Sequence, residues 1–183
     1  MAEKEQAKEV LGRVKEVFLS SGLPWVAPEK EALLQDFINE VLVWSKRVHL
    51  VGKRNLFENV CNQLRDSLIL FKIVEDMLVV NSLDVFNGPG KVGGRGLMIG
   101  DIGSGAGFPG IIWKIVAPDA RITLFERRLS PARFLKRTAR LLGLRGLEVV
   151  EMDVEIMVKT GEGEGGGTLD QERERFRNAF DIM

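Results

Sequence analysis

The chain has 183 residues, 45% of them apolar and 28% charged, an ordinary balance for a globular protein with one sizeable core. Its 26 basic side chains are matched by 26 acidic ones, so any polyanion partner must be met by a local patch and not by global charge. One cysteine and one histidine exclude an intramolecular disulfide and a cysteine-cluster metal site, and argue against zinc.

The start, Met1-Ala2-Glu3-Lys4-Glu5-Gln6, lacks the apolar stretch of a signal peptide, and no apolar run approaches the roughly 18 residues that span a bilayer. A cytoplasmic monomer without membrane contact is expected. Residues 5–20 and 28–48 are predicted helices. In the second, Pro28, Glu29 and Glu31 suit a helix start. Leu33, Leu34, Phe37, Ile38, Val41, Leu42 and Trp44 recur every three to four residues as one apolar stripe. A third helix is predicted over 57–80, with Leu64, Leu68, Phe71 and Leu78 inward, so residues 1–86 read as a helical cap.

Residues 87–96, rich in glycine, form the expected linker. From Leu97 strands and helices alternate: strand 97–102, helix 109–117, strand 121–126, helix 130–143, strand 147–152. That alternation predicts a parallel sheet with helices on its faces, and residues 97–183 as an α/β domain. Gly161–Gly167 is low-complexity and reads as a flexible excursion. A short helix is expected over Arg173–Asn178, and the opening of a fourth strand over Phe180–Met183.

The most informative stretch is Asp101-Ile102-Gly103-Ser104-Gly105-Ala106-Gly107-Phe108-Pro109-Gly110. A strand ending in an acid runs into a glycine turn that lets a ligand lie on bare backbone, and then into a proline suited to a helix entry. About twenty residues on, a second strand ends at Glu126, where a carboxylate can accept from ribose hydroxyls. Residues 105–110 also fit the G-x-G-x-x-G spacing of dinucleotide sites. Asp101, placed to reach an amino-acid group, and the missing apparatus for a pyrophosphate favour S-adenosylmethionine. A nicotinamide or flavin site, or glycines serving packing alone, remain open on spacing.

On these residues, with Leu124-Phe125-Glu126 and Phe134-Leu135, the chain closely resembles the bacterial small-subunit ribosomal RNA methyltransferase G family, formerly glucose-inhibited division protein B. Trp44-Ser45-Lys46-Arg47-Val48-His49-Leu50 is similar to that family's W-N-x-x-x-N-L stretch, and Asp66-Ser67 to its D-S pair. The resemblance covers roughly residues 30–155. It implies a Rossmann-like class I methyltransferase fold, expected here to be truncated after the fourth strand and carrying the helical cap. It also implies methylation of guanine N7 in 16S rRNA of the small ribosomal subunit, with S-adenosylmethionine as cofactor. By position, Gly103 and Phe108 match cofactor contacts, Glu126 the ribose acid, and Val154-Glu155 the pair beside the adenine. Gly103, Ser104, Gly105, Gly107 and Phe108 are then expected to shape the cofactor loop, with Asp101 at the methionine end. Ser45 and His49 stand where the family has asparagines, Asn62-Gln63 where it has Arg-His, and the glycine-glutamate tract is an insertion. The family continues into a Ser/Thr-x-Arg-Ala motif and further strands.

N7 of guanine carries a free lone pair, so its methylation needs alignment more than a general base, and no catalytic residue is assigned. Residues 121–145 hold eight basic side chains against Glu126 alone. On the helix from Ser130, Arg133, Lys136, Arg137 and Arg140 are expected on one face and Phe134, Leu135, Leu141 and Leu142 on the other. Arg133, Arg137 and Arg140 are the candidate RNA contacts, against the alternative of a solvated helix face. Cys61 is expected to be buried, His49 to be a packing or surface residue, and Trp44 to be core. Trp25, Trp44 and Trp113 are the rings that could stack on a base. The competing functional readings are a non-catalytic RNA- or ribosome-binding remnant and a nicotinamide-dependent oxidoreductase.

Overall fold

The computed structural model describes residues 2–52, 54–80, 97–154, 175–176 and 179–180. Its elements in chain order are α1 (Ala2–Ser20), α2 (Pro28–Ser45), α3 (Leu56–Val80), β1 (Met98–Ile102), α4 (Gly110–Val116), β2 (Arg121–Phe125), α5 (Leu129–Leu141) and β3 (Leu147–Val150). The linker at 87–96, the tract at 161–167 and Glu155 lie outside the described residues. Of the short helix expected over 173–178, Arg175 and Phe176 are described and helical. Of the expected fourth strand only Phe180 is described, and it is not in a strand.

The three cap helices form because apolar residues recur at helical spacing. Ala7, Val10, Leu11, Val14 and Phe18 line the buried side of α1, and Leu34, Phe37, Ile38, Val41 and Leu42 that of α2. Helix α2 stops at Ser45, short of the expected 48. The N–H groups of Arg47 and Val48 both bond to Trp44 O, and this tight turn carries Leu50 and Val51 into the core. His49 is exposed and Cys61 is buried, whereas Trp44 is only partly buried, its ring 5.7 Å from Phe134.

The strands lie parallel in the order β1-β2-β3, with Ile99 opposite Ile122 and Ile122 opposite Leu147. Side chains alternate across a strand, so Leu97, Ile99, Ile122, Leu124, Leu147 and Val149 share one side. They meet Ile111, Ile112, Phe134 and Leu135 of α4 and α5 and the cap in one continuous core. Phe125 points the other way and packs with Phe176 and Phe180 in a second, small cluster. The α/β expectation is met. Both connecting helices share the larger core, so within the described residues the sheet's second face is held by this aromatic cluster and not by a helix layer.

Cap and sheet are joined by specific bonds. Trp113 Nε1 donates to Ser67 O at 2.9 Å in a buried setting, and Lys30 Nζ donates to Val116 O at 2.8 Å. The ring of Phe37 sits 5.2 Å from that of Phe108. Trp113 is therefore a core residue, which removes it from the rings open to a base.

The face predicted for α5 needs one correction. Pro131, Ala132, Phe134, Leu135 and Thr138 are its buried residues, while Leu141 is exposed. Leu141 lies at the edge of the apolar stripe and at the last residue of the helix. The basic side is exposed as expected.

Candidate functional site

The loop between β1 and α4 is held by its own backbone and by Glu126. The N–H groups of Gly103 and Ser104 donate to Phe125 O at 2.8 and 3.1 Å, and Gly107 N donates to Ser104 O at 2.6 Å. The Ser104 hydroxyl donates to Asp101 O at 2.8 Å. The Phe108–Pro109 peptide is cis, and Pro109 stands at the N-cap of α4 and not inside its first turn.

Two glycines are required here for different reasons. Gly103 has φ of +75°, and a Cβ there would face open space, so its bareness leaves the backbone open there. Gly107 has φ of +92°, and a Cβ would come within 2.7 Å of Ile111 Cδ1. Gly107 is thus fixed by packing against α4 and α5.

Glu126, buried just beyond β2, binds the loop with its carboxylate. Oε2 accepts from Gly105 N at 2.9 Å, and Oε1 accepts from Arg128 N at 2.8 Å and Arg128 Nε at 3.1 Å. Burial alone would raise its pKa, but the Arg128 N–H, the Arg128 guanidinium and the Gly105 N–H together hold it below the ordinary value. The group is therefore a carboxylate at neutral pH. Three donors occupy about four lone-pair positions, which leaves capacity for a hydroxyl.

Asp101 is placed differently. It shares a side with Ile99 and Leu124, toward α4, and its Oδ2 accepts from Gly110 N at 3.2 Å. A Cβ at Gly110 would come within 2.5 Å of that oxygen, so the glycine admits the contact. Burial, helped by the charge of Glu126, pushes the Asp101 carboxyl up to about 6.

Two hollows open on the loop and meet at Gly103. The first, about 350 Å³, is lined by Ile102, Gly103, Phe125, Glu126, Arg127, Arg128, Met152, Asp153 and Val154. The second, about 410 Å³, lies between the loop and α3, with Gln63, Asp66 and Ser67 facing Gly103, Ser104, Gly105 and Phe108. Of the residues the sequence singles out, Gly103, Glu126 and Val154 border the first hollow. Gly103, Ser104, Gly105 and Phe108 border the second. Asp101 and Gly107 border neither. Sequence reasoning passed over Arg127 and Arg128 as lining residues, although the basic pair follows Glu126 directly.

The three candidate RNA arginines are not equivalent. Arg137 pairs with Glu40 of α2, and its guanidinium stands 5.8 Å from the centre of the Trp44 ring. Arg133 and Arg140 are exposed and form no ion pair among the described residues. Lys136 and Arg140 border, with Arg145, a separate basic groove of about 380 Å³.

Residues 30–164, which include the glycine loop, Glu126, all but the first two residues of α2, and α3, match the family described as rRNA small subunit methyltransferase G. The chain belongs to that family. Relatives that carry the name ribosomal RNA small subunit methyltransferase G include one from Desulfotalea psychrophila, 34% identical over 129 residues, covering 70% of this chain and 50% of the relative. One from Borrelia hermsii is 35% identical over 122 residues, 66% and 51% of the two chains. One from Rubrobacter xylanophilus is 41% identical over 135 residues, 72% and 43%. The chain spans about half the length of the curated relatives it matches. For a methyltransferase G family member, the residues around the loop fit an adenosyl ligand: bare backbone faces open space at Gly103, and a carboxylate with accepting capacity stands beside it.

Proposed function

We propose that this protein is an S-adenosylmethionine-dependent methyltransferase acting on guanine N7 in 16S rRNA. The observation that carries the reading is the Glu126 carboxylate on the wall of a hollow floored by Gly103, together with membership of a family of rRNA methyltransferases. When bound, S-adenosylmethionine supplies an electrophilic methyl group on a sulfonium. Glu126 accepts from the ribose hydroxyls, and Gly103 lets the ligand lie against the backbone. Val154, on the wall of the same hollow, flanks the adenine.

The acceptor nitrogen has no proton to lose, so the protein's task is to hold two reactants in line and to exclude water from between them. No side chain need act as a base, which agrees with the exposed position of His49. RNA is held by exposed cations of α5, Arg133 and Arg140 foremost. This reading sets the protein among ribosomes in the cytoplasm, and no helix of the described residues is long and apolar enough to cross a membrane. A nicotinamide-dependent oxidoreductase finds no support in a family of methyltransferases.

Titration calorimetry of S-adenosylmethionine tests the site. Glu126→Ala is expected to weaken binding at least about tenfold, about 1.4 kcal/mol. An unchanged dissociation constant would overturn the assignment.

A further inference from the structure

We infer that the helical cap encloses a further binding site, distinct from the hollows at the glycine loop, that takes a small aromatic carboxylate, with its ring against Trp25 and Phe71 and its anion on Lys30. The inference does not depend on the cofactor reading above.

The cavity measures about 240 Å³ and lies where the turn after α1 and the start of α2 meet α3 and the C-terminal end of α4. Phe18, Leu23, Trp25, Leu68 and Phe71 give it apolar walls. After α1, Gly22 with φ of +72° lets Leu23 N bond back to Phe18 O at 2.9 Å, and this turn carries Leu23 and Trp25 to the wall. Neighbouring side chains fix the rings. Trp25 meets Phe18 edge-on at 5.7 Å and donates from Nε1 to Glu31 Oε2 at 2.8 Å, and Phe71 meets Trp113 edge-on at 6.1 Å. Rings held in this way resist collapse into the space, so the cavity is preformed. An apolar cavity of about 150 Å³ takes benzene, so this one has room for a fused two-ring body.

The polar groups decide the charge of the occupant. Lys72 Nζ pairs with Glu75 Oε2 at 3.0 Å and with Asp76 Oδ1 at 2.8 Å, so Glu75, which also lines the cavity, already has its cation. Lys30 differs. It is half-buried, its Nζ donates to Val116 O at 2.8 Å, and it forms no ion pair among the described residues. An ammonium group has three donors, and a half-buried one held by a single carbonyl gains most from an anion. A carboxylate carried on an aromatic body satisfies both the walls and the cation. Helix α3 turns Leu68, Phe71 and Lys72 to this cavity and Gln63, Asp66 and Leu70 to the loop, so no residue is shared with either hollow there. Along α4, Val116 stands about 9 Å from Gly110.

Calorimetry on the whole chain with indole-3-acetate, indole and tryptamine reads the site, because the three share one ring system and carry an anion, no charge and a cation. Indole-3-acetate should bind about tenfold or more tighter than indole, the gain expected for a hydrogen bond between charged groups, and tryptamine should bind more weakly than indole. Lys30→Gln, which keeps a donor for Val116 O, should erase the preference for the acetate and leave indole affinity unchanged. Lys30→Arg should retain the preference, and thermal melting checks the fold of both variants. In proton spectra the indole N–H resonance of Trp25, assigned with Trp25→Phe, should shift on titration, while that of Trp44, which does not line the cavity, stays in place. No binding of indole-3-acetate, an affinity equal to that of indole, or a preference unaltered in Lys30→Gln overturns the inference. Binding that leaves the Trp25 resonance unmoved overturns it as well.

Discussion

At Asp101, strand parity and burial act together. The side chain lies on the helix side of β1, where Gly110 N donates to it, and burial carries its pKa from an ordinary 3.8 to about 6. A raised carboxyl pKa means that the folded chain keeps a proton the unfolded chain has lost. Stability from this group is fully present below about pH 4 and is lost as pH rises to about 6. Glu126, whose pKa is lowered, acts in the opposite sense: its contribution is present at neutral pH and is lost on acidification below the ordinary carboxyl range. Asp101→Asn should therefore flatten the fall in stability between about pH 4 and 6, read from urea unfolding at several pH values. Gly107 gives a simpler test. Gly107→Ala places a Cβ against Ile111 and Leu135 at a φ that L-residues avoid, and should cost about 2–4 kcal/mol in the same assay.

At the scale of elements, α5 divides its basic residues between structure and surface. Arg137 links α5 to α2 through Glu40 and the face of Trp44, whereas Arg133 and Arg140 project from the exposed side. Arg133→Glu with Arg140→Glu should lower RNA affinity and reduce its dependence on salt, with an unchanged melting temperature. Arg137→Ala should lower the melting temperature by loosening the α2–α5 contact. Filter binding at low salt and thermal melting distinguish the two outcomes. RNA affinity untouched by the double reversal would remove α5 from the RNA surface. That Arg133, Lys136, Arg137 and Arg140 share a side was legible from spacing alone. That Glu40 claims one of them was not, because α2 and α5 are distant in sequence.

At the scale of the whole molecule, the cap positions the site as well as covering the sheet. Helix α3 brings Gln63, Asp66 and Ser67 against the glycine loop, and the bond from Trp113 Nε1 to Ser67 O ties α3 to the helix that follows that loop. Trp113→Phe keeps most of the buried ring and deletes this bond, leaving the Ser67 carbonyl without it. The expected cost is about 1–3 kcal/mol, read as a lower urea midpoint. Because the same bond ties α3 to the helix that follows the loop, S-adenosylmethionine should also bind more weakly to this variant.

The amino-acid order alone marked the helical cap, the alternation of strands and helices, the glycine loop and the acid after the second strand. These are written in contiguous residues, as the period of apolar positions and as turn chemistry. Only the tertiary structure decided which carboxylates border a hollow and which face the interior. Asp101 and Glu126 look alike in sequence, yet one is turned to α4 and the other joins the cavity wall, because strand register and the approach of α4 and α5 fix what each oxygen can meet. Asp66, some 40 residues from Gly105, comes to lie across a hollow from it through packing that no local pattern encodes.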